Sequence, residues 1–155
     1  MAKKKKKKAL TMKQRETLLL TPCKTREELK NWIKYHLKMD IRDCTVSRYS
    51  NTNQLDEIWQ IYDVLCNGTD NDTIEELLYV ASRGSGKTLG VAIAELLIML
   101  HDQRDVVHVG AILSQAKRCY DYQLGFMLND QLRPILNFNE RPGGSILEKA
   151  NMEKS

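Results

Sequence analysis

Apolar residues recur at helical spacing in two blocks of this chain and then run almost unbroken through a third. In the first block, Thr25 and Glu28 form a capping box, and Leu29, Trp32, Ile33 and Leu37 follow on one helical face. A second helix starts at Ser50 or Asn53, carries Leu55, Ile58, Trp59, Tyr62 and Leu65 on one side, and closes at Asn67-Gly68. Its Trp and Tyr stripe suits a core face better than a base-stacking surface, because the spacing is that of a buried helix side. The third block, Leu89 to Leu100, is long and apolar enough to be a core helix. Short apolar runs flank it, Glu76 to Val80 before and Val106 to Ile112 after, and both read as buried strands. Ser114 then caps a helix through Gln115, Arg118, Cys119, Tyr122, Phe126 and Leu128. Beyond Pro134 the pattern fades into turns around Arg141-Pro142-Gly143-Gly144.

Between the first strand and the core helix lies Ala81-Ser82-Arg83-Gly84-Ser85-Gly86-Lys87-Thr88. It follows the Walker A phosphate-loop pattern, with Ala81 at the first glycine position. Glycines let the backbone turn tightly, so that successive N–H groups point inward at a phosphate chain. Lys87 stands where an ammonium reaches the β- and γ-phosphates, and Thr88 where a hydroxyl meets Mg²⁺. The helix beginning at Gly86 or Lys87 aims its positive dipole end at the same anion. Strand, glycine loop, helix and strand make the βαβ unit that the motif requires. The plain alternative is a flexible turn between two elements, and Ala81 is its best support.

Composition changes this picture little. A chain of 155 residues normally forms one domain with a real core. The net charge of +4 comes from a tail, since Lys3 to Lys8 supply six positive charges and leave −2 for the rest. Such a run is a solvated, disordered tail, or a non-specific grip on nucleic-acid phosphates. Three regions follow: a lysine-rich lead over 1–24, a helical region over 25–68, and the start of a phosphate-loop domain over 69–155. No apolar stretch approaches membrane-spanning length, and no secretion signal follows the lysines. Cys23, Cys44, Cys66 and Cys119 are irregularly spaced and, with His36, His101 and His108, offer no metal-binding spacing; reduced thiols are the expectation.

The order of Trp32 to Cys66 (with Thr45 to Ser50 inside it), the loop Ser82 to Thr88, Val107 to Ile112 and Gln115-Ala116 resembles the start of the ATPase domain of phage terminase large subunits. Those are the motors that package DNA into capsids. The resemblance spans about residues 25–130, and a loop departing from the standard pattern, with arginine before Gly-Ser-Gly-Lys, is typical of the family. It implies an α/β P-loop NTPase fold, an incomplete parallel sheet with flanking helices behind a helical amino-terminal region. ATP and Mg²⁺ are the implied cofactors. Ser82, Gly84, Ser85 and Gly86 then cradle phosphate, Lys87 neutralises it, and Thr88 ligates the metal. Arg83 senses or stabilises the γ-phosphate, or else is a solvated or ion-paired loop residue. The implied partners are double-stranded viral DNA, the terminase small subunit and the portal or capsid, in an oligomeric motor in the cytoplasm of an infected bacterium.

Hydrolysis also needs an apolar strand ending in Asp-Glu, and a terminase nuclease needs clustered carboxylates. Neither is found: Asp56-Glu57 follows no apolar run, and Asp121 sits within a helix. The chain is therefore expected to be the first part of a larger motor that binds MgATP weakly and turns it over poorly. A helicase-like translocase shares the Ser114-Gln115-Ala116 segment, and a non-catalytic, basic-tailed nucleic-acid binder remains a third reading.

Overall fold

The computed structural model describes residues 10–43, 53–67, 78, 80 and 84–136, and every regular element among them is a helix. Helix α1 (Met12–Leu20) lies in the stretch grouped above with the polar lead. It forms because Thr11 and Gln14 satisfy each other's backbone N–H groups in a capping box, and Leu19 at its far end is fully buried. Helix α2 (Arg26–Trp32) starts at the Thr25–Glu28 box that the sequence announces. Helix α3 (Gln54–Tyr62) is capped by Asn53, whose side chain accepts from the Asp56 N–H. Helix α4 (Lys87–Leu97) carries the apolar run. Helix α5 (Leu113–Met127) and the single turn α6 (Arg133–Leu136) complete the order.

Helices α2, α3 and α4 each close with one wider, π-helical turn, over Ile33–Leu37, Asp63–Asn67 and Ile98–Asp102. The first and third stop on residues in the left-handed region, Lys38 at φ 58° and Gln103 at φ 57°. That conformation points the chain away from the helix axis, and glycine would adopt it with less strain.

The core forms around α4. It packs against α3 on one side and α5 on the other, while α2 lies against α3. Ala92, Ile93, Leu96 and Leu97 have no exposed surface, because neighbours cover the helix on more than one side. Gly90 is buried where α4 faces α3, and a β-carbon there would lie in ordinary contact, 3.4 Å from Ile58 Cγ1. Leu29, Trp32, Ile33 and Leu37 from α2 and its π turn join Leu55, Ile58 and Tyr62 from α3 in the same core. The stripe read as core rather than as a stacking surface is therefore core at Leu55, Ile58 and Tyr62.

A polar spine crosses this core. The Tyr62 hydroxyl accepts from the Cys23 N–H at 2.9 Å and lies 2.7 Å from His101 Nδ1. His101 Nε2 and Trp32 Nε1 both reach the Leu19 carbonyl, at 3.0 and 3.1 Å. Near the surface Arg26 bonds both Asp43 and Asp56, and Lys30 adds a second cation to Asp43. The two cations hold the Asp43 carboxyl down to about 2.

The α/β fold with a parallel sheet is not what forms: no strand occurs among the described residues. Val106 to Gly110 adopts no regular structure, and Val107 and Val109 are 85 % and 83 % exposed. Of the earlier run only Leu78 and Val80 are described, and both are exposed as well. A strand exists only in a ladder with a neighbour, and none of the described residues of either segment has one. Helices α3 and α5 cover the apolar helix in place of a sheet. A smaller correction concerns α5. Its cap position is Ile112, with no side-chain cap, so Ser114 is the second helical residue rather than the cap.

Candidate functional site

The glycine loop is built as its composition demands. Gly84 and Gly86 sit at φ 81° and 89°, conformations that side chains other than glycine adopt rarely. Gly86 is also the cap of α4, and no side chain caps that helix end. The first intrahelical bond runs from Gly90 N–H to the Gly86 carbonyl at 2.9 Å, so the N–H groups of the opening turn have no partner within the helix. An uncapped helix start with a left-handed glycine before it is an anion-binding geometry.

A cavity of about 520 Å³ opens beside the loop, lined by Asp40, Ile41, Arg42, Gln54, Gly84, Ser85 and Gly86. Two elements distant in sequence form its other wall. The chain after the α2 π turn brings Asp40 to Arg42, and the first residue of α3 brings Gln54. The Leu55 N–H donates to the Arg42 carbonyl at 3.2 Å and ties these two together. Gln54 packs so closely on the loop that a β-carbon at Gly86 would lie 2.5 Å from its Nε2. Ser85 Oγ is buried without a hydrogen-bond partner, a state that a bound oxyanion would relieve.

The residues expected at a phosphate site are thus only partly assembled. Gly84, Ser85 and Gly86 line the cavity. Lys87 and Thr88 open α4 and are half-buried but do not line it. Ser82 and Arg83 lie outside the described residues, as do Ala81 and Lys3 to Lys8. Arg42, Gln54 and Asp40 were not foreseen, because nothing in the sequence links residue 42 to residue 85. The lining includes a buried serine hydroxyl and an arginine, residue types that suit a phosphate chain. Asp40 opposes an anion and would favour a cation beside it.

A second cluster lies further along α4. Glu95 is buried, and its Oε1 lies 2.7 Å from His108 Nδ1. Its Oε2 accepts from Cys119 Sγ at 3.1 Å and from Gln123 Nε2. Burial first, then the hydrogen bond to Glu95 and its charge, pushes the Cys119 thiol well above the usual range. Burial raises Cys23 to about 12 and Cys66 to about 11, so these two thiols stay protonated and unreactive at neutral pH. The one signal for this cluster in the sequence was Glu95 itself, the sole charge in the apolar run 89–100. A carboxylate buried there requires donors.

No helix among the described residues is long and apolar enough to cross a membrane. Comparison with protein-family models, curated proteins and solved structures finds no match for this chain.

Proposed function

We propose that this chain binds the phosphates of MgATP at the loop Gly84 to Thr88, as the nucleotide-binding segment of a viral DNA-packaging motor of the terminase large-subunit type. The observation that carries the reading is the uncapped start of α4, led by two left-handed glycines and opening on a cavity walled by Arg42. Backbone N–H groups at that turn and the Ser85 hydroxyl hold phosphate oxygens. Arg42 and Lys87 balance the negative charge, and Gln54 holds the loop in shape. Mg²⁺, when bound with the nucleotide, screens the phosphates from Asp40, and Thr88 is the loop hydroxyl that would meet it. The motor setting rests on the resemblance of residues 25–130. It brings with it double-stranded DNA, the small subunit and portal as partners, an oligomeric assembly, and the host cytoplasm as location.

Binding, and not turnover, is the activity assigned here, since no carboxylate at the end of an apolar strand is encoded to orient an attacking water. The test is a MgATP titration of the chain beside Lys87→Ala and Arg42→Ala, with circular dichroism to confirm folding. Saturable binding is expected, weakened about 10- to 100-fold by either substitution, as befits loss of a charge-assisted contact. A folded chain without saturable binding, or one indifferent to Lys87→Ala, overturns the reading. Salt-sensitive DNA binding that ignores ATP and survives deletion of Lys3 to Lys8 would instead favour a non-catalytic nucleic-acid binder.

A further inference from the structure

Three side chains of different chemistry converge beside α4: the Glu95 carboxylate, the His108 imidazole and the Cys119 thiol, with one ligand atom from each lying within 4.8 Å of the others. They come from three separate elements, namely α4, the extended segment before α5, and α5 itself. We propose that they form a binding site for a zinc-class divalent cation, which fastens the segment around His108 to the helical core.

The donor set decides the class of ion. One sulfur, one nitrogen and one oxygen donor suit a borderline-soft cation such as Zn²⁺, and suit Mg²⁺ or Ca²⁺ poorly. A thiolate and a carboxylate together also neutralise a divalent charge. Zinc bond lengths of about 2.0–2.3 Å place tetrahedral ligand atoms roughly 3.3–3.8 Å apart. Here the Glu95–His108 and Glu95–Cys119 contacts are 2.7 and 3.1 Å. Those contacts are to Oε1 and Oε2 respectively, and the three ligand atoms lie within 4.8 Å of one another, so drawing them around one ion takes shifts of about 1 Å, within reach of side-chain rotation. A cation then takes the place that shared protons hold between the same atoms.

The surroundings are those of a built site. Glu95 and Cys119 are 9 % and 1 % exposed and sit on helices packed against each other. The Gln123 amide donates to Glu95 Oε2, which leaves Oε1 turned toward His108. Such a bond orients a ligating carboxylate. His108, on the exposed side, is the ligand free to adjust, and the fourth coordination position faces water there. The site is independent of the phosphate reading and stands or falls without it.

The full chain, reduced and stripped with a chelator, is titrated with Zn²⁺ against a chromophoric chelator, and with Co²⁺ by absorption spectroscopy. One ion per chain is expected, with a thiolate-to-cobalt charge-transfer band and a rise in Tm on adding Zn²⁺. Cys119→Ser should abolish the band, and both it and His108→Asn should weaken Zn²⁺ binding by about 100-fold. Cys66→Ser should leave affinity and band unchanged. His108 is exposed, so His108→Asn keeps the test valid if Cys119→Ser fails to fold. The proposal is overturned if the unaltered chain binds no stoichiometric Zn²⁺. It is equally overturned if His108→Asn binds Zn²⁺ as tightly as the unaltered chain.

Discussion

Tyr62→Phe is expected to destabilise the fold by about 2–4 kcal/mol, although it removes a single oxygen. The reason is the direction of the hydrogen bonds around that oxygen. A carbonyl only accepts, so the His101 nitrogen facing the Leu19 carbonyl at 3.0 Å, Nε2, must carry a proton. In the neutral ring the other nitrogen, Nδ1, is then an acceptor, and the Tyr62 hydroxyl 2.7 Å away donates to it. The same hydroxyl accepts from the Cys23 N–H. Phenylalanine leaves the Cys23 N–H, which is buried, and the half-buried His101 nitrogen unsatisfied, each at a cost of about 1–3 kcal/mol. Tyr62 is completely buried, so water cannot easily replace the lost oxygen. Urea unfolding followed by circular dichroism measures the difference. A loss below about 1 kcal/mol would mean that the spine is not closed in this way.

Acid should weaken the fold through its buried and half-buried histidines. His36 is 3 % exposed, and burial, followed by the nearby charges of His101 and Lys38, lowers it from 6.5 to about 4. Burial lowers His101 as well. For a base with a depressed folded pKa, the unfolded chain binds the proton first as pH falls. Stability is then full above 6.5, declines as pH falls from there to about 4, and levels off below. His36 alone can contribute a loss of up to about 3 kcal/mol across that window, at about 1.4 kcal/mol per unit. Asp43 acts in the same direction only lower, between 3.8 and about 2, as its bonds to Arg26 and Lys30 are lost. The expected result is a fall in the urea midpoint between pH 7 and pH 4.5, much reduced in His36→Phe. A flat profile over that range would show that His36 is protonated in the fold at little cost.

How far the sequence foretold these features depends on whether each is local. The Thr25–Glu28 box, the apolar faces at Leu29, Trp32, Leu55, Ile58 and Tyr62, and a helix through most of the apolar run 89–100 are written in neighbouring residues and form, while the π-helical turns that end these helices were not read. The strands were misread because a run such as Val106 to Ile112 specifies extended backbone but not a hydrogen-bonding neighbour. Only long-range pairing turns such a run into a sheet. The tight turn was legible at Gly84 and Gly86, whose left-handed geometry is a backbone property of glycine. The far wall of the cavity was not, since Arg42 meets the loop through the packing of α3 on α4. Glu95, His108 and Cys119 are separated by 13 and 11 residues, and only tertiary structure joins them. The carboxylate in an apolar run was the available hint, and cysteine and histidine spacing alone hid it.

The two apolar segments that flank α4 carry a consequence for the protein in bulk solution. Leu78, Val80, Val107 and Val109 are each more than four-fifths exposed. Exposed aliphatic side chains at alternate positions are the material from which intermolecular sheets grow. Net charge opposes such growth, and much of it here resides in six consecutive lysines. Raising the ionic strength screens that repulsion while strengthening apolar contacts. Concentrated, salty preparations should therefore cloud by strand-to-strand association well before the helical core loosens, and shelf life becomes a matter of colloid chemistry rather than of folding.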